Sequence, residues 1–532
     1  MTSNPIDQLI LTAETTRQAK GGGVILTGSS VKLGLPSRPE FYLVHGWQSW
    51  SLTGWVDASI RLPVMKPTSM HPMQTDPVYA NDPRPNGAWY GAARLADGQA
   101  VFLGALSLES HVALDGATLT GWYERGGGEW FASCGDEAEC LGRYADLLKE
   151  RLGKGRAAKP YRVWCSWYSL YTEIDEPGLL KILADLGDLP FEIFQVDDGW
   201  QKGIGDWEPN AKFPSGMDGL AARIKAAGRT PGLWLAPLLV TPSAPLFRRH
   251  PDWLLRDEKG RPVSAGYNWS EKLYALDTTY PEVLEWLKAL MGRVRAWGYD
   301  YVKLDFLYAG ALPGHRHIDM PREAAYRQGL KVIREALGDA YFLTCGAPIL
   351  PSLGLCDGMR VGPDVAGHWE DPRDRDLLVN FATPGTRNAI RTTLNRLWLK
   401  PLVHTDPDVV YFRERQNSLT AGQRGLLQDL AQAAGFKATS DVPAWLAPSE
   451  REALRKYLQA TPEVRKLEPY VYQIGERRVD FNAAVQMPPL PGRLAKLSGA
   501  VIGGLANVPT LMKIFDSFGR RAMRKMLKEN PV

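Results

Sequence analysis

The stretch YDYVKLDFLY, residues 299–308, is the clearest strand with charged residues at its end. Its apolar side chains alternate with Lys303 and Asp305, and alternate side chains of a β-strand point to opposite faces. A buried strand that ends in charged residues is typical of the carboxyl end of a barrel strand, where catalytic groups lie. We expect Asp305 to pair with Lys303, keep a low pKa and stay ionised at neutral pH, as a nucleophile must. The alternative is a structural Lys303–Asp305 pair that fills a layer of the barrel.

Seven other apolar runs have the length of a strand, and helical patterns lie between most of them. They are YRVWCSWYSL (161–170), FEIFQVDDGW (191–200), RTPGLWLAPLLV (229–240), KLYALD (272–277), AYFLTCG (340–346), CDGMRVGPD (356–364) and KPLVHTD (400–406). Eight strands over about 280 residues match the size of a (β/α)8 barrel. A doubly wound sheet is the competing fold, but no Gly-rich dinucleotide turn follows the first strand.

The rest of the chain divides around this predicted barrel, which we assign to residues 159–442. Residues 1–158 alternate apolar and polar side chains between turns, which predicts an N-terminal β-sandwich. Residues 443–487 contain a short helix and a hairpin across Gly475-Glu476, so we expect a small β-rich module. Residues 488–532 form a basic tail with an amphipathic helix pattern. It could lie on an anionic membrane surface, but we favour packing on the barrel or on a second subunit.

Composition and charge exclude several classes of protein. The 532 residues are 44% hydrophobic and 23% charged, as in globular chains, and no apolar run reaches the ~18 residues of a membrane span. The first residues lack the pattern of a secretory signal, and five cysteines at spacings unlike zinc ligands favour a reducing cytoplasm. Residues 493–532 contain eight Lys and Arg but only two acids, so the net charge of +4 comes from this tail and the rest of the chain is near neutral. A near-neutral body argues against nucleic acid as the main partner.

Further acidic residues follow the predicted strands. They are Asp197 and Asp198 of QVDDGW, Asp277 of YALD and Asp364 of MRVGPD. Buried carboxyl groups are costly unless they are paired, hydrogen-bonded or functional. We expect Asp364 to lie on a loop shielded from cations, with a raised pKa that suits a proton donor. The alternative is that Asp364 caps the next helix.

Tryptophans near the same strands suggest a sugar ligand, because an aromatic face can pack against the C–H face of a pyranose. The candidates are Trp47, Trp50, Trp164, Trp167 and Trp234, although most of the eighteen tryptophans should be core residues. His315 and His317 form an HxH motif without a third ligand at convincing spacing, so we predict no metal site.

Several of these motifs occur together and in one order. They are HGWQSW, WCSWY, QVDDGWQKGIGDW, PGLWLAP, HPDWLL, YALD, YVKLDFLYAGALPG, TCGAP and DGMRVGPD. Over roughly residues 40–415 the chain resembles the α-galactosidases (melibiases) of glycoside hydrolase family 36, and it is most similar to the shorter bacterial type. The tail after Pro491 does not match the family pattern.

The resemblance implies retaining hydrolysis of terminal α-linked galactose, as in melibiose and raffinose, without a cofactor. It places the nucleophile on Asp305 and the general acid/base on Asp364, and such a pair lies about 5–5.5 Å apart in retaining enzymes. The implied galactose-binding residues are Trp50, Trp167, Asp197, Asp198, Trp234, Lys303, Cys345, Gly346 and Arg360.

Four other functions compete with hydrolysis of α-galactosides. An α-galactosyl transglycosylase would differ only in its acceptor, and an α-N-acetylgalactosaminidase would need space near Cys345. A Schiff-base lyase would use Lys303 as its amine, although Asp305 two residues later should keep that amine protonated. The last alternative is a non-catalytic sugar-binding scaffold, which the intact Asp305 and Asp364 argue against.

Overall fold

The structure is a computed structural model, and it describes residues 5–13, 18–20, 22–62, 71–371, 383–487 and 509–530. Its central sheet has eight strands, which we number β1 to β8 in chain order. They are β1 Arg162–Cys165, β2 Ile193–Val196, β3 Thr230–Leu235, β4 Tyr301–Leu304, β5 Tyr341–Thr344, β6 Gly358–Arg360, β7 His404–Asp406 and β8 Lys437–Thr439. All neighbouring strands pair in parallel, in the order β7-β6-β5-β4-β3-β2-β1-β8.

The sheet closes into a barrel beside β7 and β8. The backbone N–H of Val410, a few residues past β7, donates to the carbonyl oxygen of Ala438 in β8 at 2.8 Å. The predicted (β/α)8 barrel is therefore confirmed. All eight strands point their carboxyl ends at one rim, so polar side chains that are far apart in sequence meet there.

Helices with one apolar face cover the outside of the barrel. In the helix Pro281–Ala296, the buried residues Val283, Leu287, Leu290, Met291 and Val294 recur at the spacing of one helix face. The other helices of at least nine residues in the barrel region are Glu176–Leu186, Gly216–Ala226, Arg322–Leu337, Thr386–Leu394, Ala421–Ala434 and, after β8, Pro448–Gln459. Short helical turns such as Trp167–Leu170, Leu307–Ala311 and Ile349–Ser352 follow strands at the carboxyl rim.

The prediction is wrong for one strand of the barrel. Residues of KLYALD form the strand Glu271–Ala275, which belongs to a small antiparallel sheet with Leu239–Val240 and Ser264–Asn268 in the connection after β3. The eighth barrel strand is instead β8, which is three residues long and carries too short an apolar pattern to stand out. Asp277 is accordingly not at the end of a barrel strand.

The N-terminal region is a β-sandwich, as predicted. Its five-stranded sheet contains Ile10–Ala13, Ser30–Gly34, Thr118–Tyr123, Ser110–Asp115 and Asn86–Ala88 in spatial order. Its seven-stranded sheet contains Gln18–Lys20, Gly23–Gly28, Gly128–Gly135, Ala100–Ala105, Tyr90–Arg94, Phe41–His45 and Thr53–Asp57. The helix Glu137–Leu152 then leads to the barrel, and the side chain of Asp136 caps its first turn.

A buried glutamate joins the sandwich to the barrel. Glu323, in the helix Arg322–Leu337, accepts hydrogen bonds from the indole N–H groups of Trp47 and Trp89 at 3.2 and 3.0 Å. It also accepts the backbone N–H of Glu109 at 2.7 Å. Burial raises the pKa of Glu323 to about 7. Because Trp47 precedes Trp50 by three residues, this contact helps to fix how the sandwich meets the rim of the barrel.

The C-terminal region also packs on the barrel. The strands Val464–Glu468, Val471–Ile474 and Arg477–Asp480 form the predicted β-rich module, with the predicted hairpin turn at Gly475-Glu476.

The tail forms the helix Pro509–Glu529, and Arg524 Nε lies 3.1 Å from Glu173 Oε1 in the loop after β1. Met526 and Leu527 are half-buried against the main core. Residues 488–508 of the tail lie outside the described residues. Among the helices that the structure describes, none combines the length and hydropathy needed to cross a bilayer.

Candidate active site

A cavity of about 400 Å³ lies at the carboxyl rim of the barrel. It is lined by Trp50, Met73, Gln74, Trp167, Tyr168, Asp197, Asp198, Trp234, Tyr267, Asn268, Trp269, Lys303, Asp305, Phe306, Asp364 and Pro384. Both predicted catalytic residues and six predicted substrate-binding residues are in this set. The predicted binding residues Cys345, Gly346 and Arg360 are not among these lining residues, although Gly346 packs against Trp50 and Arg360 pairs with Asp364. Asp277 lies apart, where Thr279 and the backbone N–H of His317 donate to it.

Asp305 is held firmly at the end of β4. Its Oδ2 accepts the indole N–H of Trp234 at 3.0 Å, and its Oδ1 accepts the backbone N–H of Phe306 at 2.8 Å. Phe306 has a φ of +53°, so the chain turns sharply directly after Asp305. Burial raises the pKa of Asp305, while the charge of Lys303 opposes this rise. The expectation of a low pKa is therefore wrong, because desolvation outweighs the neighbouring cation.

The ammonium group of Lys303 pairs with Asp197 rather than with Asp305. Lys303 Nζ lies 2.9 Å from Asp197 Oδ2, and both side chains are buried. Asp197 also accepts the side-chain N–H of Gln195 at 2.6 Å. The nearby carboxylates outweigh desolvation and raise the pKa of Lys303 well above its usual value. Lys303 therefore stays protonated; it pairs with Asp197 after β2, and its charge also acts on Asp305 after β4.

Asp198, the second acid of QVDDGW, has different partners. Its Oδ2 accepts the indole N–H of Trp269 at 2.7 Å, and its Oδ1 accepts the amide N–H of Gln201 at 2.6 Å. Burial raises the pKa of Asp198 to about 6, and the charge of Asp197 adds to this rise. Two adjacent buried acids are thus tolerated because separate donors serve each of them.

Asp364 is not shielded from cations, which corrects the sequence-based expectation. Arg360 Nη1 donates to Asp364 Oδ1 at 2.7 Å, and the Arg360 side chain is 2% exposed whereas that of Asp364 is 31% exposed. The guanidinium group also donates to Asp408 Oδ1 at 2.6 Å. Arg360 is the last residue of β6. The Gly-Pro turn that follows brings the carboxyl group of Asp364, four residues later, back to the guanidinium group of Arg360.

Cys345 and Gly346 shape the site from behind. A hydrogen bond from the Cys345 side chain lowers the pKa of Asp305 and so partly offsets the effect of burial. Gly346 has a φ of +51°, and a Cβ atom there would lie 2.9 Å from Cη2 of Trp50. Any larger residue at position 346 would displace Trp50 from the cavity wall.

The sandwich delivers Trp50 through a loop that a buried arginine holds in place. Arg396 donates to the carbonyl oxygens of Ser49 and Val361 at 2.6 and 3.0 Å through Nη1. Its Nη2 donates to three more carbonyl oxygens of the loop, those of Gly46, Gln48 and Ser51, at 2.9 to 3.2 Å. Arg396, about 350 positions later in the chain, therefore fixes the conformation of the HGWQSW segment. Within the cavity wall, the rings of Trp50 and Phe306 make an edge contact, with 5.1 Å between their centroids.

Sequence reasoning missed several residues of the cavity wall. Trp269 lies in the tight turn between Ser264–Asn268 and Glu271–Ala275, and both Trp269 and Ser270 have positive φ, at 49° and 63°. Met73 and Gln74 belong to the helix His71–Gln74. None of these positions carries a strand-end pattern. For Trp269, the Asn-Trp-Ser sequence between two alternating segments is a weak hairpin signal that could have pointed to it.

Breaking the Lys303–Asp197 pair should destabilise the fold. Lys303→Met leaves a buried carboxylate without its cation, which costs about 3–5 kcal/mol of the free energy of unfolding. The double variant with Asp197→Asn should lose less than the sum of the two single losses. Urea denaturation measures these values, and Lys272→Met, on an exposed hairpin position, serves as control. Additive losses, or a loss below about 1 kcal/mol for Lys303→Met, would contradict the assigned pairing.

Comparisons with known proteins agree on one family. The melibiase family model matches residues 134–341. The structure of an α-galactosidase from Thermus thermophilus in complex with p-nitrophenyl α-D-galactopyranoside is 47% identical in sequence. The match covers 89% of this chain and 97% of that one, with a TM-score of 0.85.

Matches to larger relatives are partial. Alpha-galactosidase AgaA from Geobacillus stearothermophilus is 31% identical over 208 residues, which is 36% of this chain and 27% of that protein. The alignment thus spans about a quarter of this curated relative's length. The crystal structure of AgaA, a glycoside hydrolase family 36 enzyme, shares the fold at 18% identity, with a TM-score of 0.56 and coverage of 84% and 64% of the two chains. This chain belongs to the melibiase family of α-galactosidases, glycoside hydrolase family 36.

Proposed function

We propose that this protein is a retaining α-galactosidase that releases terminal, non-reducing α-D-galactose from oligosaccharides such as melibiose and raffinose. The observation that carries the proposal is that Asp305 and Asp364 line one cavity together with a lysine, two further acids and four tryptophans. A pair of carboxyl groups across one sugar is the machinery of most glycoside hydrolases. The Thermus thermophilus relative has been solved with p-nitrophenyl α-D-galactopyranoside and with stachyose, which supports the same class of substrate.

In the proposed mechanism, Asp305 attacks the anomeric carbon while Asp364 donates its proton to the departing glycosidic oxygen. The C–O bond to the leaving group breaks as a bond from Asp305 to the anomeric carbon forms, which gives a β-linked galactosyl enzyme. The ionised Asp364 then takes a proton from water, whose oxygen displaces Asp305 and leaves galactose in the α-configuration.

The contacts of each carboxyl group suit these roles. The hydrogen bonds from Trp234 and from the backbone N–H of Phe306 orient the Asp305 carboxylate, and the charge of Lys303 favours its ionised form. Arg360 holds one oxygen of Asp364, and the partial exposure of Asp364 leaves the other oxygen available to the substrate and to water. Asp305 must be ionised and Asp364 protonated in the free enzyme, so kcat/KM is expected to show a bell-shaped pH dependence.

Polar groups of the cavity can recognise the hydroxyl groups of galactose. Asp197 and Asp198 are acceptors whose remaining lone pairs can bond two hydroxyls, including the axial 4-hydroxyl. The indole N–H of Trp50 is buried and has no hydrogen-bond partner among the described residues, so it is an available donor. The aromatic faces of Trp50 and Trp167 supply apolar contact for the C–H side of the ring.

The contacts of Lys303 argue against the Schiff-base alternative. An amine must lose its proton to attack a carbonyl group, but Lys303 is paired with Asp197 and its pKa is raised. Transglycosylation to a sugar acceptor uses the same galactosyl enzyme and remains a second candidate activity. An N-acetyl group at C2 would need space near Cys345, and we propose that galactose is preferred because Cys345 is buried and the adjacent Gly346 packs against Trp50.

We also propose that the protein works in a reducing compartment such as the cytoplasm. All five cysteines are unpaired, and four of them are buried. Chains in oxidising compartments more often pair their cysteines in disulfides.

Azide should distinguish the two carboxyl groups by the product that it gives. With a nitrophenyl α-galactoside, Asp305→Gly and Asp364→Ala should each lower kcat by at least about 100-fold, because each loses a group that acts in the transition state. Azide should rescue the first variant with β-galactosyl azide, since it replaces the nucleophile. It should rescue the second with α-galactosyl azide, since it replaces the activated water.

Identification of these azides by NMR checks the assignment, with Asp339→Ala at the protein surface as control. Exchanged products would reverse the two roles, and full activity of either variant would remove that residue from the mechanism.

A substrate series tests recognition at the far side of the ring. Hydrolysis of melibiose and raffinose should exceed that of the matching α-glucoside by at least about 100-fold in kcat/KM, because an equatorial 4-hydroxyl leaves a buried acceptor unpaired. The α-N-acetylgalactosaminide should also be poor. Released monosaccharide is quantified for each compound, and excess sucrose is added to measure galactosyl transfer. Equal rates for galactoside and glucoside would refute the proposed recognition.

A further inference from the structure

Asp408 is a buried acid at the rim that neither the predicted mechanism nor sugar binding uses. It lies two residues after β7 and has a φ of +83°, in the left-handed region that few residues other than glycine adopt. Its backbone N–H donates to Asp406 Oδ1 at 2.8 Å, which holds the turn closed. The chain thus adopts a rare conformation that places one carboxyl group against Tyr168, which lines the cavity.

The carboxyl group of Asp408 accepts hydrogen bonds from three different segments. Oδ1 accepts Arg360 Nη2 at 2.6 Å, and Oδ2 accepts the backbone N–H of Val365 at 2.9 Å. Oδ2 also accepts the hydroxyl group of Tyr168, whose ring lines the cavity. Three donors of this kind favour the ionised form. Burial raises the pKa of Asp408, and the charge of Arg360 opposes that rise.

Two of these donors lead directly to Asp364. Val365 is its neighbour in the chain, and Arg360 is the residue whose Nη1 donates to Asp364 Oδ1 at 2.7 Å. Asp408 therefore holds both the backbone after Asp364 and the cation that contacts its carboxyl group. One oxygen of Asp364 is fixed against Arg360, and the other is left to face the cavity.

We propose that Asp408 is a positioning residue for the general acid: it fixes Arg360 and the backbone at Val365 so that Asp364 is aimed at the glycosidic oxygen, and it neutralises Arg360 so that Asp364 can keep its proton. This inference rests on the proposed role of Asp364. Asp408 itself touches neither substrate nor reacting atoms. It acts through two neighbours, each within 3 Å.

Charge balance gives the sign of the effect. An arginine that is unneutralised stabilises the anion of Asp364, and an arginine that is shared with an ionised Asp408 stabilises it less. The charged and titratable groups around Asp364 are Arg360, Asp406, Asp408, Asp305, Tyr168, Tyr171 and Cys345. Removing the charge of Asp408 alone should therefore let Asp364 ionise at a lower pH.

Asp408→Asn in the full-length enzyme tests the proposal, because the amide keeps the shape and removes the charge. For melibiose, whose leaving group needs protonation, the alkaline limb of the kcat/KM profile should move to lower pH by about one unit, and kcat/KM at pH 7 should fall about 10- to 100-fold. For α-galactosyl fluoride, whose leaving group needs little protonation, kcat/KM should stay within about threefold. A merely structural defect would lower kcat/KM equally for both substrates and would leave the alkaline limb in place.

Two further variants keep the test decisive. Asp441→Asn removes another buried acid that pairs with an arginine, Arg413, at 3.1 Å, and it should not move the alkaline limb. Asp408→Glu keeps the charge but shifts the carboxyl group. It should keep the position of the limb while kcat for melibiose falls, and it replaces the asparagine variant if that variant does not fold.

The outcomes separate the two proposals. If the wild-type enzyme hydrolyses neither melibiose nor α-galactosyl fluoride, the proposed function fails. If it hydrolyses both, the role of Asp408 is overturned by equal losses on both substrates, by an unmoved limb in Asp408→Asn, or by a shifted limb in Asp408→Glu.

Discussion

The site depends on how a few buried cations are shared among many acids. The strands β2, β4, β6 and β7 all bring carboxyl groups to one rim, because parallel strands end on the same side of a barrel. Lys303 pairs with Asp197, and Arg360 contacts Asp364 and Asp408. Among the described residues, Asp305 has no ion pair at this close distance, and its carboxyl group accepts hydrogen bonds from Trp234 and Phe306. This division leaves Asp305, the acid that we propose as nucleophile, without a close cation and places Asp364 on a shared arginine.

The sharing of cations among these acids also explains why the N-terminal sandwich must cover the cavity. A barrel alone would leave the charged rim open to water, which weakens every electrostatic interaction there. Glu323 binds the indole groups of Trp47 and Trp89, and Arg396 organises the backbone of the same loop. Trp50 is thereby held over Gly346 and against Phe306, next to the acid that we propose as nucleophile. Contacts between the sandwich and the barrel thus determine the shape of the cavity in which we propose that the sugar binds.

Much of the fold and of the site could be predicted from the sequence. Seven barrel strands stand out because each is an apolar run that ends in a polar motif, and the strand-end rule directly selects Asp197, Asp198, Asp305 and Asp364. The same rule wrongly selects Asp277, because KLYALD has the pattern of a barrel strand but pairs with a hairpin after β3. The strand β8 was missed because three residues are too few to show a pattern.

Electrostatic partners were harder to predict than positions. Alternation along β4 places Lys303 and Asp305 on one face, but only the barrel geometry reveals that Lys303 reaches across to Asp197. Burial, which raises the pKa of Asp305, is likewise a property of the assembled site. Trp269 and Asp408 were missed because each depends on a backbone conformation with positive φ in a connection between strands; no periodic pattern marks such residues, and Trp269 has only a weak hairpin signal.

We propose that Asp305 and Asp364 act in turn on opposite sides of one anomeric carbon. Proton NMR of the first product formed from a nitrophenyl α-galactoside, recorded before mutarotation equilibrates the sugar, tests it most directly. Double displacement predicts that α-galactose appears first and that the β-anomer grows in later. Initial release of β-galactose would mean a single displacement by water and would contradict the account.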